Sequence, residues 1–129
     1  MRTGTPVIDD TPFPALAGVY LEDSYVREIL ESPGQFTFRL DAVLTPQDPA
    51  YHDPLPGENY CYARGILVFD GVARVEWVRR SDHHFTDASG EIDLGNVDVL
   101  HIDGDAMVAE GDWGEVRIVG ALPRFELIG

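Results

Sequence analysis

The fold of this chain is decided by residues 23–44, which read DSYVREILESPGQFTFRLDAVL. From Gln35 onward, phenylalanine and leucine alternate with polar residues, and a period of two is typical of a strand with one buried face. Before that, Pro33-Gly34 lies at the centre of four residues and favours a type II turn. The apolar residues ahead of the turn fit helical spacing as well as a strand. We prefer a hairpin that joins strands 24–31 and 35–44.

Working outward, the same alternation predicts further short strands separated by turn residues. Residues 45–59 contain four prolines, which exclude a central strand and indicate a stiff loop. Asp70-Gly71 and Asp103-Gly104-Asp105 are hairpin signals. The predicted strands are 60–69, 72–79, 97–102, 106–109, 113–119 and 125–128, with a polar connection over 86–96.

This spacing predicts an all-β chain, built as a single antiparallel β-sandwich or open barrel of about seven or eight hairpin-connected strands. The β domain is expected to span residues 15–129. Residues 1–14 carry three prolines and are expected to form an extended or disordered arm. Trp77 and Trp113 sit among apolar alternations and are expected in the core.

The charge balance restricts the classes of partner. The chain has 23 acidic residues against nine basic ones, all arginine, and a net charge of −14. Nucleic acids and anionic membranes would be repelled, whereas a basic protein or a cation would be attracted. Cys61 is the single cysteine, so no intramolecular disulfide can form, and a small buried thiol is expected there. With no signal peptide or apolar span apparent, we expect a cytoplasmic location.

Residues 81–116 carry ten acidic residues and three histidines but no arginine. Imidazole and carboxylate groups together suit a divalent cation, although adjacent histidines on a strand would point to opposite faces. Oxygen side chains also alternate from Asp87, but the isoleucine at position 92 occupies the place where a calcium loop needs glycine. The alternative is an ordinary polar connection. The candidate metal ligands are His83, His84, Asp87, Glu91 and Asp93, with His101 as a further one.

A second candidate site is a partner-binding surface that includes the proline-rich loop. A rigid loop that carries an aromatic ring and an imidazole has the character of a recognition surface, although it could equally be a structural flap. No catalytic residue and no cofactor is predicted. The candidate partner-binding residues are Tyr51, His52, Asp53 and Glu58 in the loop, together with Asp87 and Glu91.

Several short phrases resemble a bacterial family of small proteins called YxiG-like. They are LEDSYV at 21–26, LDAVLTP at 40–46, PGE at 56–58 with Cys61-Tyr62, DASGE at 87–91 with Gly95-Asn96, and GDWG at 111–114. The chain departs from the expected pattern at Glu22, where histidine would stand. The resemblance implies a β-rich cytoplasmic protein without an assigned reaction, loosely similar to small immunity proteins that neutralise toxins by binding them.

Two functions are therefore expected from the sequence. The first is a non-enzymatic protein-binding module of toxin-immunity type that binds a basic protein through acidic loops. The alternative is a metal-binding protein or metal-dependent enzyme that uses the His/Asp/Glu cluster around residues 82–93.

Overall fold

The computed structural model describes residues 18–81, 84–86, 90 and 92–128, and within these ranges the chain forms strands without a helix. The predicted N-terminal arm lies outside the described residues. The strands in chain order are β1 (Val19–Ser32), β2 (Gln35–Leu44), β3 (Cys61–Asp70), β4 (Arg74–Arg80), β5 (Phe85–Thr86), β6 (Ile92–Asp93), β7 (Val99–Asp103), β8 (Ala106–Gly111), β9 (Gly114–Val119) and β10 (Pro123–Leu127).

Eight of these strands form two antiparallel sheets of four. Sheet A has the order β1-β2-β3-β10, and sheet B has the order β4-β9-β8-β7. The two-residue strands β5 and β6 pair only with each other within the described part. Neither sheet closes into a barrel, and the arrangement is that of a sandwich. The predicted all-β antiparallel class is confirmed.

The first hairpin is confirmed, and its ambiguous arm is a strand. β1 pairs with β2 from Val19↔Leu44 to Ser32↔Gln35, with two register shifts in between. Gly34 has a φ of 75°, as the third position of a type II turn requires. The strand forms despite helical spacing because its pairing with β2 places Val26, which is fully buried, in the core.

The hairpin predicted at Asp70-Gly71 is wrong. The chain does turn there, with Gly71 at a φ of 76°, but β3 belongs to sheet A and β4 to sheet B. The edge of β3 that β4 would have occupied is taken by β10 instead. The amide of Val72 donates to the carbonyl of Gly34 (3.0 Å), so the crossing segment passes beside the first hairpin's turn. The crossing lets Trp77 pack against Phe36 on the opposite sheet, with ring centroids 6.0 Å apart.

The core lies between the two sheets and is rich in aromatic rings. Phe38 on β2 and Trp113 in the β8–β9 turn are both buried, and their ring centroids are 5.0 Å apart. Cys61 is also buried, as predicted. The hairpin predicted around Asp103-Gly104-Asp105 is confirmed as β7–β8. The core positions on both sheets follow the period-two pattern, because alternate side chains of a strand point to the same face.

Candidate functional site

The predicted recognition loop lies at one end of sheet A. It connects β2 to β3 without forming a strand, as expected from its prolines. The amide of Thr45 donates to the carbonyl of Gly18 (3.0 Å), which holds the start of the loop beside the start of β1. Within the loop Tyr51 is half-buried. The side chains of His52, Asp53 and Glu58 are exposed, and Asp87 and Glu91 lie outside the described residues.

The predicted metal ligands are only partly described. His84 is exposed, and the Asp93 carboxylate accepts a hydrogen bond from the amide of Gly95 (2.9 Å), which is turn chemistry. His101 is exposed on β7 in sheet B. Across the described ranges no three histidine, cysteine or acidic side chains form a group that could hold a metal ion. Because His83, Asp87 and Glu91 lie outside those ranges, the cation site stays a prediction.

Four of the chain's five tyrosines lie on the outer face of sheet A or directly beside it, next to the loop. Val43 on β2 pairs with Tyr20 on one side and with Tyr62 on the other. The rings of Tyr25 and Tyr62 stack with centroids 6.1 Å apart, and Tyr60 meets Tyr62 edge-on at 6.1 Å. Tyr20, Tyr25 and Tyr60 are 44%, 37% and 38% exposed, which is high for large aromatic side chains.

Carboxylates surround the exposed phenols. The negative charge of Glu22 raises the pKa of Tyr20, and Asp23 adds to this effect. A hydrogen bond to Asp23 raises the pKa of Tyr60. An acceptor carboxylate favours the protonated phenol, since removing the proton would place two negative charges side by side. The tyrosines and the acids therefore form one connected polar and aromatic surface.

The acidic part of this surface extends to sheet B. Partial desolvation raises the pKa of the exposed Asp98 carboxylate, and the charges of Asp112, Glu22 and Glu110 raise it further. Like charges have this effect because they oppose ionisation. We call the whole set the tyrosine–carboxylate surface. It consists of Tyr20, Glu22, Asp23, Tyr25, Tyr60, Tyr62, Asp98, Glu110 and Asp112.

The arginines neutralise other carboxylates. Among the described residues, seven arginines form ion pairs, and their partners do not include the five acids of the tyrosine–carboxylate surface. Examples are Arg39 with Glu28 (2.8 Å) and Arg117 with Asp103 (2.7 Å). No described arginine therefore neutralises the carboxylates of the tyrosine–carboxylate surface through an ion pair.

Buried hydrogen bonds hold the surface in place. Ser24 is fully buried; its hydroxyl donates to the carbonyl of Tyr20 (2.8 Å) and accepts from the amide of Val43 (2.9 Å). The side-chain amide of Asn96 donates to the carbonyl of Ser24 (2.7 Å). These bonds satisfy the backbone where β1 shifts register, so the shape of the strand between Tyr20 and Tyr25 is well determined.

Only part of the tyrosine cluster could be recognised from the sequence. Tyr60-Cys61-Tyr62 places two phenols on one side of a strand and a thiol on the other. Tyr20 and Tyr25, however, are five residues apart, and a regular strand would put them on opposite faces. The register shift in β1 brings them to the same face, and that shift is not visible in the residue pattern.

Titration of Tyr62 gives a direct test of this packing. Burial, with Tyr25 contributing next, raises the pKa of Tyr62 to about 12 from 10.0. The folded state holds this proton more tightly than the unfolded state does. The resulting stabilisation is complete below pH 10, and we expect it to be lost as the pH rises toward 12. Ultraviolet absorbance of the phenolate should show a late step that Tyr62→Phe removes and Tyr51→Phe retains. A titration without that late step would contradict the burial of Tyr62.

No protein-family model, curated protein or solved structure matches this chain. The similarity to the YxiG-like family and the cytoplasmic location accordingly stay predictions. The described ranges contain no helix that could span a membrane.

Proposed function

We propose that this protein is a non-enzymatic protein-binding module of immunity type, which binds a basic partner protein at the tyrosine–carboxylate surface. Tyrosine is enriched at protein interfaces because it offers a large amphipathic area and loses little conformational entropy on binding. Exposed phenol rings can also lie against arginine and lysine side chains of a partner. Three such rings, with the half-buried Tyr62 beside them at the outer face of sheet A, support a binding role.

The observation that carries the proposal is the unbalanced charge beside those rings. Asp98 has a raised pKa because partial desolvation and the charges of Asp112, Glu22 and Glu110 oppose its ionisation. Cationic side chains of a partner would relieve that repulsion, whereas an acidic partner would increase it. The same field would speed association at low ionic strength and weaken with added salt.

The test compares two variants that remove the same amount of charge. Glu22→Gln with Asp23→Asn neutralises the centre of the surface. Glu28→Gln with Glu126→Gln neutralises two exposed carboxylates elsewhere on the outer face of sheet A, and serves as the matched control. Both variants should fold, because exposed ion pairs such as those of Glu28 and Glu126 contribute little to stability, and Glu22 and Asp23 form none with a described arginine.

Each immobilised variant is incubated at low salt with an extract of the cells that make the protein, and the retained proteins are identified and quantified. We expect the wild type and the control to retain the same basic protein. The surface variant should retain about tenfold less, which corresponds to about 1.4 kcal/mol. Retention should fall for all forms at high salt. Retention that ignores salt, or an equal loss in both variants, would count against the proposed surface.

A further inference from the structure

Three of the four sheet edges are blocked within the described part of the chain. The outer edge of β1 is covered where the amide of Val26 donates to the carbonyl of Gly95, and where Leu94 donates back to Val26 (both 2.8 Å). β10 begins with Pro123 and carries the ion pair of Arg124 with Glu126. Proline and charged side chains are common devices that prevent a further strand from pairing.

The edges of sheet B differ from each other. β4 has a register shift between Trp77 and Arg79, and Arg80 forms an ion pair with Glu31 of β1 (2.9 Å). β7 (Val99–Asp103) pairs in unbroken register with β8 and, among the described residues, with no other strand. It contains neither proline nor arginine. β7 is therefore the edge at which backbone donors and acceptors are best placed to pair with an added strand.

An apolar cavity opens beside this edge. Its volume is about 280 Å³, and its lining includes Ile102 of β7, Met107 of β8 and Leu122 before β10. Ile102 and Leu122 are 51% and 68% exposed. In strand addition, backbone pairing supplies affinity and pockets for alternate side chains supply specificity. The cavity suits one apolar side chain of an added strand.

The acidic residues around β7 favour a basic segment as the added strand. Asp98 precedes the strand and belongs to the tyrosine–carboxylate surface, while Asp105 follows it and is exposed. Asp103 at the end of β7 is already bound to Arg117. A second copy of the chain would bring another net charge of −14 to the same edge. A basic segment would instead meet complementary charge.

We propose that an extended basic segment of a partner protein adds to β7 as a fifth strand of sheet B and places an apolar side chain in the cavity beside Ile102. The positive charge of the segment rests on the proposed function. The position and the backbone pairing do not, because they follow from the edges and the cavity. The basic residues of the segment lie toward Asp98 at one end and Asp105 at the other.

The first experiment uses two synthetic peptides of equal length and charge and follows backbone amide hydrogen exchange of the whole chain by nuclear magnetic resonance. One peptide alternates arginine with valine, and the other alternates arginine with proline, which lacks the amide proton that strand pairing needs. We expect the arginine–valine peptide to slow exchange in β7 about tenfold or more. The arginine–proline peptide should leave β7 unchanged.

The second experiment compares Ile102→Lys with Val78→Lys. Both residues are on edge strands of sheet B, with exposures of 51% and 56%, so both variants gain the same charge at comparable sites. We expect Ile102→Lys to weaken binding of the arginine–valine peptide about tenfold, because a lysine at the cavity opposes a cationic strand. Val78→Lys should bind nearly as the wild type does.

The outcomes separate the two proposals. If both peptides bind at low salt but β7 exchanges as before, the added strand is refuted while the acidic binding surface stands. If neither peptide binds, the proposed function fails as well. Slow exchange of β7 without peptide that depends on protein concentration would show that a second copy occupies the edge, and this too would overturn the inference.

Discussion

Replacing Phe38 with alanine is expected to lower the free energy of unfolding by about 3–5 kcal/mol. Phe38 is fully buried, and its ring lies 5.1 Å from that of Phe36, 6.4 Å from that of Phe69 and 5.0 Å from that of Trp113. The first two contacts lie within sheet A, and the third crosses to sheet B. Its removal would leave a cavity at the place where the sheets meet, and packed interiors relax only partly around such a void.

The measurement is chemical denaturation followed by tryptophan fluorescence, which reports on Trp77 and Trp113 together. Phe85→Ala serves as the matched control, since Phe85 is 40% exposed and should cost about 1 kcal/mol or less. A loss for Phe38→Ala as small as that of the control would show that the two sheets do not share this contact, and the sandwich packing would then be wrong.

Replacing Gly111 with alanine is expected to cost about 2–4 kcal/mol. A methyl group on Gly111 would lie 2.2 Å from the carbonyl oxygen of Asn96 and 2.5 Å from Nε1 of Trp113. These are the two atoms of a hydrogen bond, in which the Trp113 indole donates to the Asn96 carbonyl (3.0 Å). The substitution therefore both overpacks the site and separates a part-buried donor from its acceptor.

The same substitution should reduce binding at the tyrosine–carboxylate surface. Asn96 also donates to the carbonyl of Ser24, so a shift of Asn96 would reach β1 between Tyr20 and Tyr25. Gly71→Asn is the control, because Gly71 has open space around it and a φ of 76°, a conformation that asparagine tolerates. We expect the control to unfold and bind nearly as the wild type does. If Gly111→Ala matched it in stability, the close approach at Gly111 would be refuted.

Much of the fold could be predicted because the decisive signals are local. Alternation in residues 35–44 shows which side chains of β2 are inside, and Pro33-Gly34 specifies the turn before it. The proline-rich loop and the β7–β8 hairpin depend on signals of the same kind. The error at Asp70-Gly71 arises where a local turn signal is correct but the partner of the next strand is decided elsewhere.

The candidate site was less predictable, because it is assembled from distant residues. Composition points to the loop residues Tyr51 and His52, yet the packed rings are those of Tyr25, Tyr60 and Tyr62. The acidic stretch 81–116 is evident in the sequence, but Asp98 becomes notable only where the fold places Glu22 beside it.

The sequence by itself determined most of the strands, the turn at Pro33-Gly34 and the excess of negative charge, because each depends on residue type and on neighbours a few positions away. Only the tertiary structure decided which strands share a sheet, which carboxylates arginines neutralise and which edge stays open. Those properties depend on pairings between residues far apart in the chain. A period of two tells which way a side chain points, but not which other side chain it will meet.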